Sequence, residues 1–179
     1  RMPAAIDIYN NDVSVMHDNC FETDGAVRNI RVLRNRCFNA ALGAMSPQPI
    51  FGGPVYFIRN VVYNAWWGPV KIHGEPSGIY YLNNTYVGEF RQIMAASNMQ
   101  LRNNLILDNQ SGGVTLEQTS AGLFEGNQFW GNSGYAVFMD GSCYPTFVGN
   151  LPHYNENNGA RVAGKMTFNQ TWRPNLTYV

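Results

Sequence analysis

Asparagine returns along this chain at a nearly fixed interval, and that interval limits the fold more than any other feature. Segments 5–14, 30–39, 55–64, 79–88, 99–108, 122–131 and 145–154 align without gaps, and the sixth residue of each is Asn10, Asn35, Asn60, Asn84, Asn104, Asn127 or Asn150. The successive spacings are 25, 25, 24, 20, 23 and 23 residues. Three residues before the Asn stand Asp7, Val32, Phe57, Tyr81, Leu101, Phe124 and Phe147, and five before it Ala5, Ile30, Val55, Ile79, Met99, Gly122 and Pro145. Two mostly apolar columns spaced by two residues describe the inward face of a β-strand. The leucine-rich consensus is absent, and a propeller blade needs about 40 residues or more. The pattern therefore predicts an all-β parallel β-helix solenoid of about seven coils. Coils stacked at the strand spacing of roughly 4.8 Å would make a rod of about 34 Å. Asn then has a physical reason to recur. Its side chains can hydrogen-bond along the axis as a ladder that satisfies buried turn atoms, and it tolerates the left-handed backbone of a sharp corner.

A second strand register follows about ten residues after each Asn, at 20–23, 44–46, 70–73, 93–96, 114–117 and 137–140. The stretches between are rich in Gly, Asn, Pro and Ser and read as turns. The whole chain, 1–179, reads as one domain. Its tail, 155–179, loses the repeat except at Met166–Trp172 and is expected to cap the last coil. The first coil starts within five residues of the first residue given, with no signal peptide visible ahead of it. An uncovered coil end exposes apolar side chains and unpaired backbone. The expectation is a fragment of a longer chain, or an end covered by a flanking domain or another subunit.

Composition excludes several function classes. Twelve Lys and Arg balance twelve Asp and Glu, so the basic excess that nucleic-acid binding needs is missing. No apolar run approaches the roughly 20 residues of a membrane-spanning helix. Asn occurs 22 times and Gly 18 times, which disfavours a helical fold. Cys20, Cys37 and Cys143 are odd in number and lack metal-finger spacing, so they read as small buried residues, with a disulfide open but unsupported. The Asn-x-Ser/Thr sequons at Asn83, Asn109, Asn169 and Asn175 carry little weight in so Asn-rich a chain.

The Asn ladder, the coil length and one denser stretch, roughly 7–64, which contains 18–39 (DNCFETDGAVRNIRVLRNRCFN) and 46–64 (SPQPIFGGPVYFIRNVVYN), resemble right-handed parallel β-helix repeat proteins of the pectate-lyase-like superfamily, of the bacterial secreted type. That resemblance implies an extracellular protein acting on a polysaccharide. The fold hosts lyases, hydrolases, epimerases and non-catalytic modules alike, so function has to be argued from a site.

Four groups of residues carry candidate chemistry. Asp18, Glu22 and Asp24 gather three acids within seven residues and offer the hard oxygens that Ca2+ takes. Thirteen residues after the ladder Asn comes the column Thr23, His73, Glu117 and Asp140. Lys71 lies on the same face, and Lys71 with His73 is the best base candidate for abstracting a proton beside a uronate. Arg34 and Arg59 precede their ladder Asn on adjacent coils, with Arg31 and Arg102 nearby, and could pair carboxylates. Tyr56 and Tyr80 share an outward column with Arg31 and Gln100, and the Trp66-Trp67 turn should leave one indole on the surface for a sugar ring, Trp67 being the one chosen. The leading expectation is a polysaccharide lyase-like domain performing β-elimination. Its rival is a non-catalytic glycan-binding or structural β-helix module of a larger surface protein. An enzyme should gather at least three of these ionisable groups in one groove.

Overall fold

The computed structural model describes residues 4–88, 90–167, 169–171 and 176–179. Each coil but the third contributes one strand to each of three parallel faces, and the third reaches the last face only through a bridge at Val70. Sheet A stacks Ala4–Tyr9, Arg28–Leu33, Val55–Ile58, Ile79–Leu82, Met99–Arg102, Gly122–Glu125 and Thr146–Val148 in sequence order. Sheet B stacks Asp12–Met16, Arg36–Ala40, Val61–Ala65, Thr85–Val87, Leu105–Leu107, Gln128–Trp130 and Leu151–His153. Sheet C begins as the pair Phe21–Glu22 and Met45–Ser46, bridges from Met45 to Val70, and continues as Phe90–Met94, Val114–Glu117, Tyr135–Asp140, Asn157–Ala163 and Thr177–Tyr178. No helix occurs among the described residues, so none is long and apolar enough to cross a membrane. The predicted strand registers are sheets A and C. Sheet B, whose short strands follow the ladder Asn directly, is an addition to them. In the tail, Asn157–Ala163 and Thr177–Tyr178 extend sheet C and Leu176 is buried; Phe168, Trp172 and Asn175 lie outside the described residues.

The ladder stands at the corner between sheets A and B. Each rung's backbone amide and Nδ2 donate to the next rung's Oδ1: Asn60 to Asn84 at 2.8 and 3.0 Å, Asn84 to Asn104 at 2.9 and 3.0 Å, and Asn104 to Asn127 at 3.0 Å for both. The second Nδ2 hydrogen turns back to a carbonyl of the preceding coil, as from Asn84 to Phe57 O at 2.9 Å. The residue before each rung takes the left-handed conformation, with φ of 55° at Arg34, 54° at Arg59, 57° at Asn83 and 54° at Asn103.

The first coil corrects the predicted register by one residue. Its rung is Asn11, which donates to Asn35 Oδ1 at 3.0 and 2.9 Å, while Asn10 is the left-handed corner residue with φ 56°. Ile6 pairs with Ile30 and Ile8 with Val32, so Ala5 and Asp7 leave the inward columns. Asp7 instead faces outward and accepts from Arg31 at 2.6 and 2.7 Å. Thr23 leaves its predicted outward column by the same slip and is buried.

Inside, the coils stack like on like. Phe57 lies 5.0 Å from Tyr81 with near-parallel rings, and Tyr81, Tyr86 and Phe90 meet edge to face at 5.1 to 6.4 Å. The phenolic oxygens of Tyr81 and Tyr86 are buried without a protein partner, and burial pushes both phenols well above their ordinary pKa. An unpaired buried hydroxyl costs about 1–3 kcal/mol. Tyr81→Phe and Tyr86→Phe should therefore each stabilise the protein by about 1 kcal/mol in urea unfolding. A loss of stability would place a bonded water on that hydroxyl.

The cysteines also depart from expectation. Cys20 and Cys37 form a disulfide that ties the turn entering sheet C to sheet B. Cys143 is a buried free thiol, as read from the sequence, and burial together with the neighbouring Asp140 charge raises its pKa to about 12.

Candidate functional site

The candidate residues distribute over several faces of the rod. Tyr56 and Tyr80 pair in register on the outer face of sheet A, with ring centroids 5.1 Å apart. Arg34 and Arg59 are exposed at the corner between sheets A and B. The other two arginines of that stripe meet acids of neighbouring coils: Arg31 grips Asp7, and Arg102 lies 3.2 Å from Glu125.

The column on sheet C is real. The Met94 amide bonds the Ile72 carbonyl, which sets His73 beside Met94; Met94 pairs with Glu117, and the same register carries Glu117 to Asp140. Met94 separates His73 from the two acids. Asp140 is turned into its own turn: its carboxylate accepts from the Gln118 and Ser142 amides, both at 2.8 Å, and from Ser142 Oγ. Burial raises its pKa, and those bonds outweigh burial and hold it below the usual carboxylate value.

Among the acids of the first coil, Asp18 accepts from the Asn19 amide at 2.9 Å and Glu22 from Asn19 Nδ2 at 2.7 Å. Asp24 accepts from Ser46 Oγ at 3.3 Å and the Gln48 amide at 3.1 Å. Its pKa is raised, first by burial and then by the charge of Glu22, while the Gln48 bond and Lys71 pull the other way. Among the described residues no three His, Cys, Asp or Glu side chains gather as a metal site, so this geometry lends the calcium expectation no support.

The corner between sheets B and C holds a groove that takes in one of the candidate residues, Trp67. Coil loops of unequal length leave a groove there whose centre is Trp66, 81% exposed on a turn closed by Gly68 (φ 118°). Three adjoining cavities of about 490, 460 and 560 Å³ all touch this indole. Trp67, the indole chosen from sequence, is half-buried, and Lys71 Nζ lies 5.8 Å over its ring. Four carboxamides line the groove among apolar residues such as Val15, Met16 and Val87: Asn39 and Asn64, joined by an Nδ2 to Oδ1 bond of 2.6 Å, and Asn109 and Gln110. Among the described residues lining these cavities there is no lysine or arginine, and the acidic and imidazole side chains are Asp108 and His17.

Asn109 belongs to a second ladder that the period analysis missed. Five residues after the first ladder, Asn109, Asn132 and Asn155 repeat the same bonds, Asn109 Nδ2 to Asn132 Oδ1 at 2.5 Å and Asn132 Nδ2 to Asn155 Oδ1 at 2.6 Å. Their spacing of 23 residues was visible in the sequence.

A family model described as the right handed beta helix region matches residues 52–171, about two thirds of the chain. The chain belongs to that family. Among curated proteins and solved structures nothing matches it. For a right-handed β-helix the groove is a feature of the coil loops, which the repeating coil frame leaves free to vary in length and chemistry.

Proposed function

We infer that this β-helix is a glycan-binding module whose ligand is an uncharged polysaccharide lying in the Trp66 groove. The observation that carries the reading is the exposed indole flanked by carboxamides. A flat aromatic face takes the apolar side of a sugar ring, and Asn and Gln both donate to and accept from hydroxyls. The described lining offers these carboxamides and no lysine or arginine, and Lys71 Nζ stands beside it over the Trp67 ring. Calorimetric titration with uncharged oligosaccharides should give binding that Trp66→Ala weakens about thirtyfold, the loss typical of a central aromatic anchor. Equal affinity in the variant would remove the groove from the reading.

Lyase-like β-elimination is supported by one observation: Lys71, the candidate base, sits over the Trp67 ring that lines the same groove. Absorbance at about 235 nm tests it on uronate polymers, with and without calcium, because β-elimination leaves an unsaturated sugar. A flat trace from folded protein leaves binding alone.

A further inference from the structure

The corner that lines the Trp66 groove continues past its cavities. Four residues after each rung of the first ladder, the chain turns from sheet B toward sheet C with a positive φ. Val15, Asn39, Asn64, Gly88 and Asp108, with φ of 56°, 55°, 50°, 142° and 53°, all line the groove. The next members of the column are Gly131 and Tyr154, at 65° and 54°. The Asp108 amide donates to Trp130 O and the Gly131 amide to His153 O, both at 3.0 Å, so the corner runs on without a break. Three aromatic rings gather on this extension. Trp130 lies 4.8 Å from Tyr154 and 5.6 Å from His153 between ring centroids, with interplanar angles of 62° and 54°. Among the described residues Trp130 stays 42% exposed and Tyr154 75%. By contrast Phe38 and Tyr63, earlier in the outward column that holds Trp130, stack at 4.9 Å and 6° and cover each other's faces. The backbone of Tyr154 is the second sign. Gly, Asn and Asp tolerate the left-handed region and bulky side chains do not, and five of the seven corner residues are of those three types. The exceptions, Val15 and Tyr154, are 80% and 75% exposed and stand in the first and seventh coils. A strained aromatic that mostly faces water returns little to the fold, and such outliers cluster at binding sites.

We propose that Trp130 and Tyr154 form a second sugar platform, so that the ligand is an extended polysaccharide chain lying along the rod axis from Trp66 to Tyr154. This rests on the glycan-binding reading and adds to it a length and a direction. Trp66 stands in the third coil and Trp130 in the sixth. Three coil steps of roughly 4.8 Å set the platforms about 14 Å apart along the axis, farther than one sugar ring reaches. Each platform offers an aromatic face to the apolar side of a ring. Between them Gly88 and Gly131 keep the corner low, and the exposed Asp108 offers an acceptor to hydroxyls. One chain touching both platforms binds more tightly than either contact alone, because the second contact becomes intramolecular.

The test follows the assigned Trp66 and Trp130 indole signals of the native protein in a two-dimensional ¹⁵N spectrum. The protein is titrated with β-glucan oligosaccharides and, separately, N-acetylglucosamine oligomers, each from the disaccharide to the octasaccharide. The expected result is that in one series the octasaccharide shifts both indoles along a single binding curve, about tenfold or more tighter than the disaccharide. Movement of one indole without the other at saturation, or an affinity indifferent to chain length, overturns the two-platform chain; where Trp66 still moves, the groove reading stands. Silence of both indoles with both series removes the glycan reading and this one with it. Tyr154→Asn separates binding from packing, because Asn accepts the left-handed corner. The variant should resist urea at least as well as the native protein, bind the octasaccharide about tenfold less tightly and leave disaccharide binding at Trp66 unchanged. Native affinity for the octasaccharide, or a clear loss of stability, overturns the proposal and makes Tyr154 part of the packing of the last coil.

Discussion

Asn84→Ala should cost the protein about 3–5 kcal/mol, whereas the same substitution at Asn11 should cost less than about 1 kcal/mol. The difference lies in what each change strands. Removing the Asn84 carboxamide leaves the buried Asn60 amide and Nδ2 without their acceptor at 2.8 and 3.0 Å, and Phe57 O without its donor at 2.9 Å. Each stranded group carries a desolvation penalty of about 1–3 kcal/mol, and no water reaches Asn60, which is fully buried. Asn11 is exposed among the described residues and its bonds are only part-buried, so water replaces most of what is lost. For a domain of this size the Asn84 change corresponds to a fall in Tm of roughly 10 °C or more. Urea unfolding of the two variants side by side is the measurement. Near-equal losses would mean that the interior ladder is held by the surrounding sheets and contributes little of its own.

How much of this was legible beforehand follows from what periodicity can encode. Strand positions recur at a fixed offset from the rung because sheets must stay in register, so the rung Asn and the inward Val32, Phe57, Tyr81, Leu101, Phe124 and Phe147 stand out from spacing alone. The slip in the first coil arose where two Asn are adjacent. The inward parity was written in Ile6 and Ile8, and a charged Asp7 facing the core was the signal against the chosen alignment. Sheet B escaped notice because its strands of three to five residues begin directly after the rung, with no turn sequence to announce them. His73, Glu117 and Asp140 do share a face, since the offset from the ladder survives from coil to coil. The groove was not legible in the same way. It is made by the loops between sheets B and C, and loop length is the one quantity a repeat leaves free. Trp66 was visible as half of a surface pair, but which of two adjacent indoles turns outward depends on the turn at Gly68 and on the contact between Trp67 and Lys71.

The disulfide was invisible for a related reason, and it yields the second large effect. Cys20 and Cys37 lie 17 residues apart, one in the turn before Phe21–Glu22 and the other in the strand Arg36–Ala40 of the next coil, and meet only because the coil closes. Cross-linking a loop of about this length removes roughly 3 kcal/mol of unfolded-state entropy. The double variant Cys20→Ala, Cys37→Ala should lose at least that much, since Cys37 is fully buried in the inward column beside Val62 and Ala leaves a void there. In a solenoid each coil touches only its neighbours, so the loss should be local. Hydrogen exchange should quicken in Ala4–Tyr9 and Asp12–Met16, while Met99–Arg102 and Gly122–Glu125 keep their protection. The first coil depends on the cross-link more than any other described coil, because no described residue pairs the outer edges of Ala4–Tyr9 and Asp12–Met16, and Ile6 and Val15 are exposed. Uniform acceleration along the whole rod would instead mean that the coils unfold as one cooperative unit. The disulfide would then stabilise the entire solenoid, the Trp66 groove included.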